Sequence, residues 1–237
     1  MFKVDKSWQG IINKALNNLD DSYLGFLQKD ESYFPSKKNF LNAFKTLPLN
    51  KTKYILFGQD PYPRQKSAIG YAFIDGDVKS LWDEKNGLSK EVNKATSLRN
   101  FMKMLLVCEG KLDVKDTSKN AILEVDTTSY INSILHLKDN FEENGILLLN
   151  TALIFASKEE SKKHVKMWKP FVHSLLKQIK DENIKLILFG SLAKEIEKLP
   201  VSGEFEKFYC EHPYNVSFIS NKSVQKLFGQ MKLLDKC

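Results

Sequence analysis

Residues 54–63 read YILFGQDPYP, and we expect the rest of the chain to be organised around this stretch. Four apolar residues in succession, 54–57, predict a buried strand of the kind found in parallel sheets. Gly58 ends the run and permits a tight turn. Asp60 then stands at the carboxyl end of the strand, where open α/β sheets place their ligands. Asp60 and Tyr62 each precede a proline, so the sequence predicts a stiff loop that presents a carboxylate and a phenol.

Three more apolar segments predict the other strands of a sheet. They are residues 146–150, 184–189 and 208–210. Between them, apolar residues recur at helical spacing, and strands that alternate with helices are typical of a parallel sheet covered on both faces. The predicted fold is therefore α/β, with a central four-stranded parallel twisted sheet flanked by helices on both faces. We see no repeat and no linker, so we predict a single domain over residues 1–237.

The helices are predicted from their apolar spacing and from residues that can cap them. Ser36 is expected to cap a helix over 37–46, and Thr96 or Ser97 to cap a helix that carries Leu98 to Leu106. Further helices are predicted over 130–137, over 168–179 and in the C-terminal segment, where the helix is expected to carry Val224 to Leu234. Residues 79–95 and 109–128 are polar and are expected to be connecting loops.

The composition restricts the class of protein and of partner. The net charge is +7 and the isoelectric point is near 9.1, which suits a polyanionic partner. Lysine supplies nearly all of the positive charge and favours contact with a phosphate backbone over base reading. Three widely spaced cysteines predict reduced thiols and no metal cluster. The absence of an apolar signal region or membrane span predicts a cytoplasmic protein.

Polar residues stand at the ends of the predicted strands. Asp60, Asn150 and His212 each follow a strand, and Gly190-Ser191 follows another. The carboxyl ends of parallel strands meet at one edge of a sheet, so these residues are expected to share a crevice. Each also has an ordinary structural explanation: a strand-ending turn, a helix cap or a surface turn. We give weight to their joint occurrence.

The residue types favour one class of chemistry. The sequence has no nucleophile elbow, no phosphate-binding glycine motif and no zinc-binding helix motif. One carboxylate with one imidazole suits cleavage through a cationic intermediate and an anionic leaving group, because the carboxylate stabilises the cation while the imidazole donates to the anion. The side chain of Asn150 has a donor and an acceptor, which match the edge of a pyrimidine.

At this point the chain resembles the family 1 uracil-DNA glycosylases over nearly its whole length. The matching segments are GQDPY (58–62), GYAF (70–73), TSL (96–98), LLLNT (147–151), LFGSLA (188–193) and HP with a following serine (212–217). The resemblance implies hydrolysis of the N-glycosidic bond of uracil in DNA, by an enzyme that flips the base and needs no metal or other cofactor.

The resemblance also implies a role for each matching residue. Asp60 would position the attacking water and stabilise the sugar cation, and His212 would stabilise the charge on uracil O2. Asn150 would read the uracil edge, Phe73 would stack on the ring, and Tyr62 would exclude thymine by crowding C5. Gln59 would contribute through its backbone. The residues expected to contact DNA are Pro63, Thr96, Ser97, Gly190, Ser191, Tyr214, Val216 and Ser217.

The sequence departs from the family pattern in three places. Pro63 replaces the usual histidine, and residues 92–97 contain no proline where the family has a proline-rich loop. In HPYNVS (212–217), Val216 replaces the usual wedge leucine, and Tyr214 could compensate by stacking. A shorter wedge and a missing proline loop predict weaker discrimination in favour of duplex DNA and good action on single strands.

Two other functions stay open at this level. A glycosylase-like protein with weak or no cleavage could bind DNA or a partner, although it would have no need of the Asp60 carboxylate. A glycosylase for another modified base is less favoured because Tyr62 would have to move. The expected partner is uracil-containing DNA, single- or double-stranded, and a glycosylase inhibitor protein is a further candidate partner. We expect a monomer without membrane contact.

Overall fold

The computed structural model describes residues 3–236, and these fall into two compact units. The first unit comprises the described part of Met1–Asp75 together with Gly145–Tyr209. The second comprises Gly76–Asn144 together with the described part of Cys210–Cys237. The chain therefore leaves and re-enters the first unit. The single domain over 1–237 stays a prediction.

The secondary structure follows the alternation expected from the sequence. The strands are β1 (Tyr54–Gly58), β2 (Trp82–Asp83), β3 (Gly87–Leu88), β4 (Ile146–Asn150), β5 (Lys185–Phe189) and β6 (Lys207–Cys210). The helices are α1 (Lys6–Leu16), α2 (Asp21–Lys29), α3 (Ala43–Thr46), α4 (Lys90–Lys94), α5 (Thr96–Cys108), α6 (Lys119–Leu123), α7 (Ile134–Glu143), α8 (Ser161–Ile179), α9 (Leu192–Glu197) and α10 (Lys222–Phe228). Short 3₁₀ turns cover Leu49–Lys51, Pro200–Glu204 and Val216–Ser220.

The sheet has the strand order β4-β1-β5-β6. Strand β1 runs parallel to β4, with Gly58 opposite Asn150, and parallel to β5, with Phe57 opposite Leu188. These registers align the carboxyl ends of three strands at one edge of the sheet. A four-stranded parallel sheet flanked by helices is the predicted fold class, and it is confirmed.

The core of the first unit is built from alternate strand residues and from the apolar faces of helices. Ile55 and Phe57 of β1 are almost fully buried there. Trp8 of α1 is fully buried, meets the Phe44 ring at 5.2 Å and donates its indole N–H to the Leu47 carbonyl at 2.9 Å. Buried aromatic groups contribute large apolar areas, and the bonded indole carries no unpaired polar atom. This packing places one face of β1 in the same buried apolar cluster as α1.

Several helix boundaries differ from the predicted ones. Helix α3 covers only Ala43–Thr46, because residues 37–42 form turns in which the Asn39 and Phe40 amides bond back to the Ser36 carbonyl. The N-cap of α3 is Asn42, so the expected Ser36 cap is wrong. Helix α5 begins at Thr96 with Ala95 as its N-cap and no capping side chain, so the expected Thr96 or Ser97 cap is wrong. Helix α7 begins at Ile134 because Ser133 caps it through the His136 amide at 3.1 Å.

Other boundaries lie where polar sequence concealed regular structure. Helix α8 begins at Ser161 rather than at 168, since its first turns carry several lysines. The predicted loop 79–95 contains the β2–β3 hairpin and α4, and the predicted loop 109–128 contains α6. Helix α10 ends at Phe228.

The second unit has an aromatic core of its own. Phe101 of α5 lies 5.7 Å from Phe141, 6.0 Å from Phe218 and 5.0 Å from Phe228 between ring centroids. These rings join α5 to α7, α10 and the Val216–Ser220 turn. Within residues 3–236, we find no helix with the length and apolar character needed to span a bilayer.

Candidate active site

The carboxyl ends of β1 and β4 place Gly58 beside the side chain of Asn150. A Cβ atom at Gly58 would lie 2.3 Å from Asn150 Oδ1 and 3.0 Å from the Ala72 Cβ. Real carbon and oxygen atoms do not approach this closely, so only glycine at this position leaves room for the buried amide. Gly58 is therefore required here for close approach, and its missing side chain defines where the Asn150 amide lies.

The loop after β1 is tied to the segment after β4 by backbone hydrogen bonds. The Gln59 carbonyl accepts from the Ala152 amide at 2.9 Å and from the Thr151 hydroxyl at 2.8 Å. The Gly58 carbonyl accepts from the Thr151 amide at 2.8 Å. The exposed side chain of Gln59 thus stands on a well-anchored backbone.

Asp60 follows directly and is half-buried. Its Oδ2 atom accepts a hydrogen bond from the Ser161 hydroxyl at 2.5 Å. Ser161 is the first residue of α8, and the cap position before it, Glu160, makes no capping side-chain bond. Short hydrogen bonds between a hydroxyl and an ionised carboxylate are among the stronger bonds in proteins. The start of α8 therefore holds one oxygen of the Asp60 carboxylate in place.

Phe73 lies on a second loop that is fixed to β4. The Ala72 amide donates to the Leu148 carbonyl at 3.1 Å, and the Phe73 ring centroid lies 6.4 Å from that of Phe189. Phe73 has a φ of +68°, an uncommon conformation for a bulky residue. Non-glycine residues in this region are found at functional sites more often than elsewhere, because the surrounding structure must hold them there. Gly70, with φ +89°, lets the loop pass close to the Asn39 carbonyl.

Tyr62 connects the two loops. Its hydroxyl donates to the Phe73 carbonyl at 3.2 Å. Burial raises the pKa of Tyr62 well above its usual value, and the nearby Asp75 carboxylate adds to the rise, so the phenol stays neutral and remains a donor. Arg64 lies 2.9 Å from the buried Asp75 carboxylate and closes the loop between them. The phenol ring is thereby held in a fixed position.

The Gly190-Ser191 turn follows β5. Gly190 has φ +55° and Ser191 precedes α9, where its carbonyl accepts from the Lys194 amide at 3.1 Å. Both residues are exposed, as is Pro63. An exposed turn with glycine at its sharpest point is accessible to a phosphate group.

In the second unit, His212 lies in a turn that a buried asparagine holds in place. The Asn215 amide donates to the His212 carbonyl at 3.0 Å. Asn100 of α5 is buried, and its amide donates to the Pro213 carbonyl at 2.9 Å and to the Tyr214 carbonyl at 3.2 Å. One side chain thus fixes the backbone on the C-terminal side of His212.

The His212 ring is held in one tautomer. Its Nδ1 atom accepts from the Tyr214 backbone N–H at 3.1 Å. A nitrogen that accepts cannot carry the proton, so in the neutral imidazole the hydrogen is on Nε2. Although the side chain is exposed, partial desolvation lowers the pKa of His212 below its usual 6.5. At neutral pH the ring is therefore neutral, and Nε2–H is its donor.

The rest of this turn presents apolar groups to solvent. Tyr214 and Val216 are 65% and 72% exposed, more than any other large hydrophobic residue among those described. The Ser217 hydroxyl bonds to Glu211 at 2.5 Å, which fixes the turn from its other side. Thr96 and Ser97 are half-buried in the first turn of α5. Exposed apolar side chains on a fixed turn are suited to contact with bases.

The structure thus groups the sequence-predicted residues by unit. The first unit brings together the strand-end and loop residues, namely Gln59, Asp60, Tyr62, Phe73, Asn150 and the exposed Ser191. The second carries His212, Tyr214, Val216, Ser217, Thr96 and Ser97. Sequence reasoning missed Ser161 and Asn100, whose partners lie 101 and 113 residues away, and no local signal marks them. Among residues 3–236, no group of three or more histidine, cysteine or acidic side chains is arranged to hold a metal ion.

The chain is similar in sequence and in structure to known uracil-DNA glycosylases. The chain is 49% identical to the UNG of Nitratifractor salsuginis, and the structures agree with a TM-score of 0.97 over 99% of this chain and 94% of that one. It is 27% identical over 210 residues to the uracil-DNA glycosylase of Fusobacterium nucleatum, which covers 84% of this chain and 76% of that protein. A single-residue variant of mimivirus UNG in complex with UGI shares the fold, at 16% identity and a TM-score of 0.59 over 91% of this chain and 72% of that one. No model of a known protein family matches the chain.

Proposed function

The chain belongs to the uracil-DNA glycosylases, which remove uracil from DNA in base excision repair, and we propose a role in this reaction for each of its site residues. The observation that supports the activity is the 49% identity to a UNG over 99% of the chain. The class of reaction is hydrolysis of an N-glycosidic bond. The products are free uracil and an abasic site.

In the proposed mechanism the bond between the deoxyribose C1′ and uracil N1 breaks first. Its electron pair leaves with the base, so the sugar becomes a cation and uracil becomes an anion. Asp60 stabilises the cation and positions the water whose oxygen forms the new bond to C1′. The water releases one proton as this bond forms, and the uracil anion takes up one proton, so that neutral uracil is the product. The Ser161 hydroxyl supports this proposal, because it holds one carboxylate oxygen in place at 2.5 Å.

His212 acts on the leaving group. Its Nε2–H donates to uracil O2, where the negative charge collects, and a preoriented donor is effective because it needs no reorganisation during the reaction. The bond from the Tyr214 amide to Nδ1 supports this assignment, because it leaves Nε2 as the nitrogen that carries hydrogen. Because His212 stabilises the negative charge on the leaving uracil, the proposed reaction requires no metal or other cofactor.

Three residues of the first unit recognise the base. Asn150 pairs with the polar edge of uracil, and cytosine is rejected because its exocyclic amine would leave buried polar groups unpaired. Phe73 stacks on the ring. Tyr62 occupies the space that the thymine methyl group would need, and its bond to the Phe73 carbonyl supports a fixed position for the phenol.

An excision assay tests this function against the alternatives. The purified protein is incubated, with a chelator present, with labelled oligonucleotides containing uracil, thymine, cytosine or a 5-substituted uracil, and alkali then cleaves abasic sites. We expect cleavage at uracil alone. A glycosylase-like binding protein would shift the DNA in a gel without cleaving it. Cleavage at 5-substituted uracil equal to that at uracil would favour a glycosylase for another modified base.

We also propose that discrimination in favour of duplex DNA is weak and that single strands are good substrates. Val216 is a shorter wedge than leucine, and residues 92–97 lack the prolines of the family's loop. The exposed Tyr214 supports stacking on an unpaired base. Excision rates on matched single- and double-stranded oligonucleotides test this proposal, and a strong duplex preference would contradict it.

Three further proposals concern the cellular location, the oligomeric state and an inhibitor partner. A cytoplasmic location and a monomeric state stay predictions, which cell fractionation and light scattering would test. A glycosylase inhibitor protein is a candidate partner because a single-residue variant of mimivirus UNG forms a complex with UGI. Titration of the excision activity with UGI measures this directly.

A further inference from the structure

A groove between α8 and α9 lies beside the proposed catalytic loops. It has a volume of about 620 Å³, and Gln59, Thr151 and Ser191 form part of its lining. These three residues follow the carboxyl ends of β1, β4 and β5. The groove is therefore continuous with the strand-end edge at which we place the chemistry, and all of its lining belongs to the first unit.

The two helices line this groove with lysines. Lys162, Lys166 and Lys169 stand on one face of α8, at the spacing that brings residues to the same side of a helix. Lys194 and Lys198 face the same groove from the region of α9. Apolar side chains contribute the rest of the lining, namely Val165, Val172, Leu192, Ile196 and Leu199.

Four of these five lysines have no carboxylate partner within the described part of the chain. The one carboxylate in the lining, Glu195, pairs with Lys198 at 2.6 Å. Lys162, Lys166, Lys169 and Lys194 form no ion pair with any residue in 3–236. Like charges from two elements around one groove repel one another unless an anion lies between them. All five lysines are exposed to solvent, and the arrangement differs from a single solvated helix face because two helices contribute lysines to one groove.

We propose that this lysine groove binds the sugar–phosphate backbone of the DNA strand that carries uracil, beyond the flipped nucleotide. The proposal rests on the proposed function, because the strand must cross the edge that holds Asp60 to reach the groove. Lysine contacts phosphates as a point charge without reading bases, so the groove adds affinity without sequence preference. Uracil can occur in any sequence context, which such a contact accommodates.

The test compares two triple variants in the full chain. The groove variant replaces Lys162, Lys166 and Lys169 by glutamine. The control variant replaces Lys163, Lys177 and Lys180 by glutamine. These three lysines lie on or at the end of the same helix but outside the groove lining. Both lose the same charge. KM and kcat are measured on a uracil-containing trinucleotide and on a longer single-stranded oligonucleotide over a range of salt concentrations.

We expect the groove variant to raise KM for the long oligonucleotide while leaving the trinucleotide unaffected. Each lost phosphate contact reduces the slope of log affinity against log salt by about 0.7 for single strands, so three contacts reduce it by about 2. The control variant should keep the wild-type slope. An unchanged slope in the groove variant, or equal losses in both variants, would overturn the proposal and leave the groove to some other partner. If the wild type excises no uracil, the proposed function fails, and the dissociation constants of the same oligonucleotides still test the groove.

Discussion

Replacing Ser161 by alanine should slow excision without weakening DNA binding. The Ser161 hydroxyl donates to Asp60 Oδ2 at 2.5 Å and is the only side chain in the described chain that bonds to this carboxylate. Without it, the carboxylate is free to rotate, and water replaces the lost donor. The variant thus perturbs the proposed water-positioning group while leaving its charge in place.

The magnitude follows from the type of bond. Hydrogen bonds to charged groups contribute about 1.5–3 kcal/mol net, and because both residues are half-buried we take about 1–2 kcal/mol. If this energy is realised in the transition state, kcat falls about 5- to 30-fold. KM for DNA should change little, since Ser161 is not among the residues proposed to contact phosphate or base.

Single-turnover and steady-state excision of a uracil-containing oligonucleotide measure both constants. Ser161→Thr keeps the hydroxyl and should restore most of kcat. Ser157→Ala is the matched control, because Ser157 lies just before α8 and contacts the Glu160 amide rather than Asp60. In an Asp60→Asn background, Ser161→Ala should have a much smaller effect, since residues that act through one another are not additive. The reasoning is refuted if Ser161→Ala keeps the wild-type kcat, or if Ser157→Ala lowers it equally.

Three further predictions concern packing and protonation. Gly58→Ala places a Cβ 2.3 Å from Asn150 Oδ1 and should lower kcat/KM for uracil. The control, Gly10→Ala, meets nothing within 4 Å, so it should leave kcat/KM unchanged and stabilise α1 by about 0.5–1 kcal/mol. Excision kinetics and thermal unfolding of both variants test this prediction. Burial lowers the pKa of His164 below 6.5 despite the opposing Glu160 carboxylate, so the unfolded state takes up the proton first. The free energy of unfolding should therefore fall as pH drops through 6.5 and level off at higher pH, and urea titrations should show a weaker dependence in His164→Gln. Asn100→Ala leaves two carbonyls without their donor and should cost about 1–3 kcal/mol in urea unfolding while lowering kcat, and an unchanged kcat would show that the His212 turn needs no such support.

The sequence predicted those parts of the molecule that depend on local pattern. The apolar runs at β1 and β4 are buried strands because four successive apolar residues exclude water from both faces. Their parallel pairing brings Gly58 opposite Asn150, as strand ends meeting at one edge implied. The weakest predictions concerned helix starts, since the lysine-rich first turns of α8 showed no long apolar run to mark them.

Other features depend on contacts between residues far apart in the chain, and no local pattern encodes them. Ser161 reaches Asp60 across 101 residues, and Asn100 reaches Pro213 across 113. The positive φ of Phe73 is likewise imposed from outside, by the bond from Ala72 to β4 and by the Tyr62 hydroxyl. The lysine groove depends on the packing of α8 beside α9, which brings lysines from two separate segments of the chain to one lining.

The most direct test of the mechanism measures uracil excision by two single variants. Asp60→Asn and His212→Gln each remove one proposed catalytic group, and their thermal unfolding serves as the control for folding. We predict that single-turnover excision falls about 10²–10⁴-fold in each variant while binding to uracil-free DNA is retained. Excision at the wild-type rate by either folded variant would contradict the assignment of the carboxylate and the imidazole to this reaction.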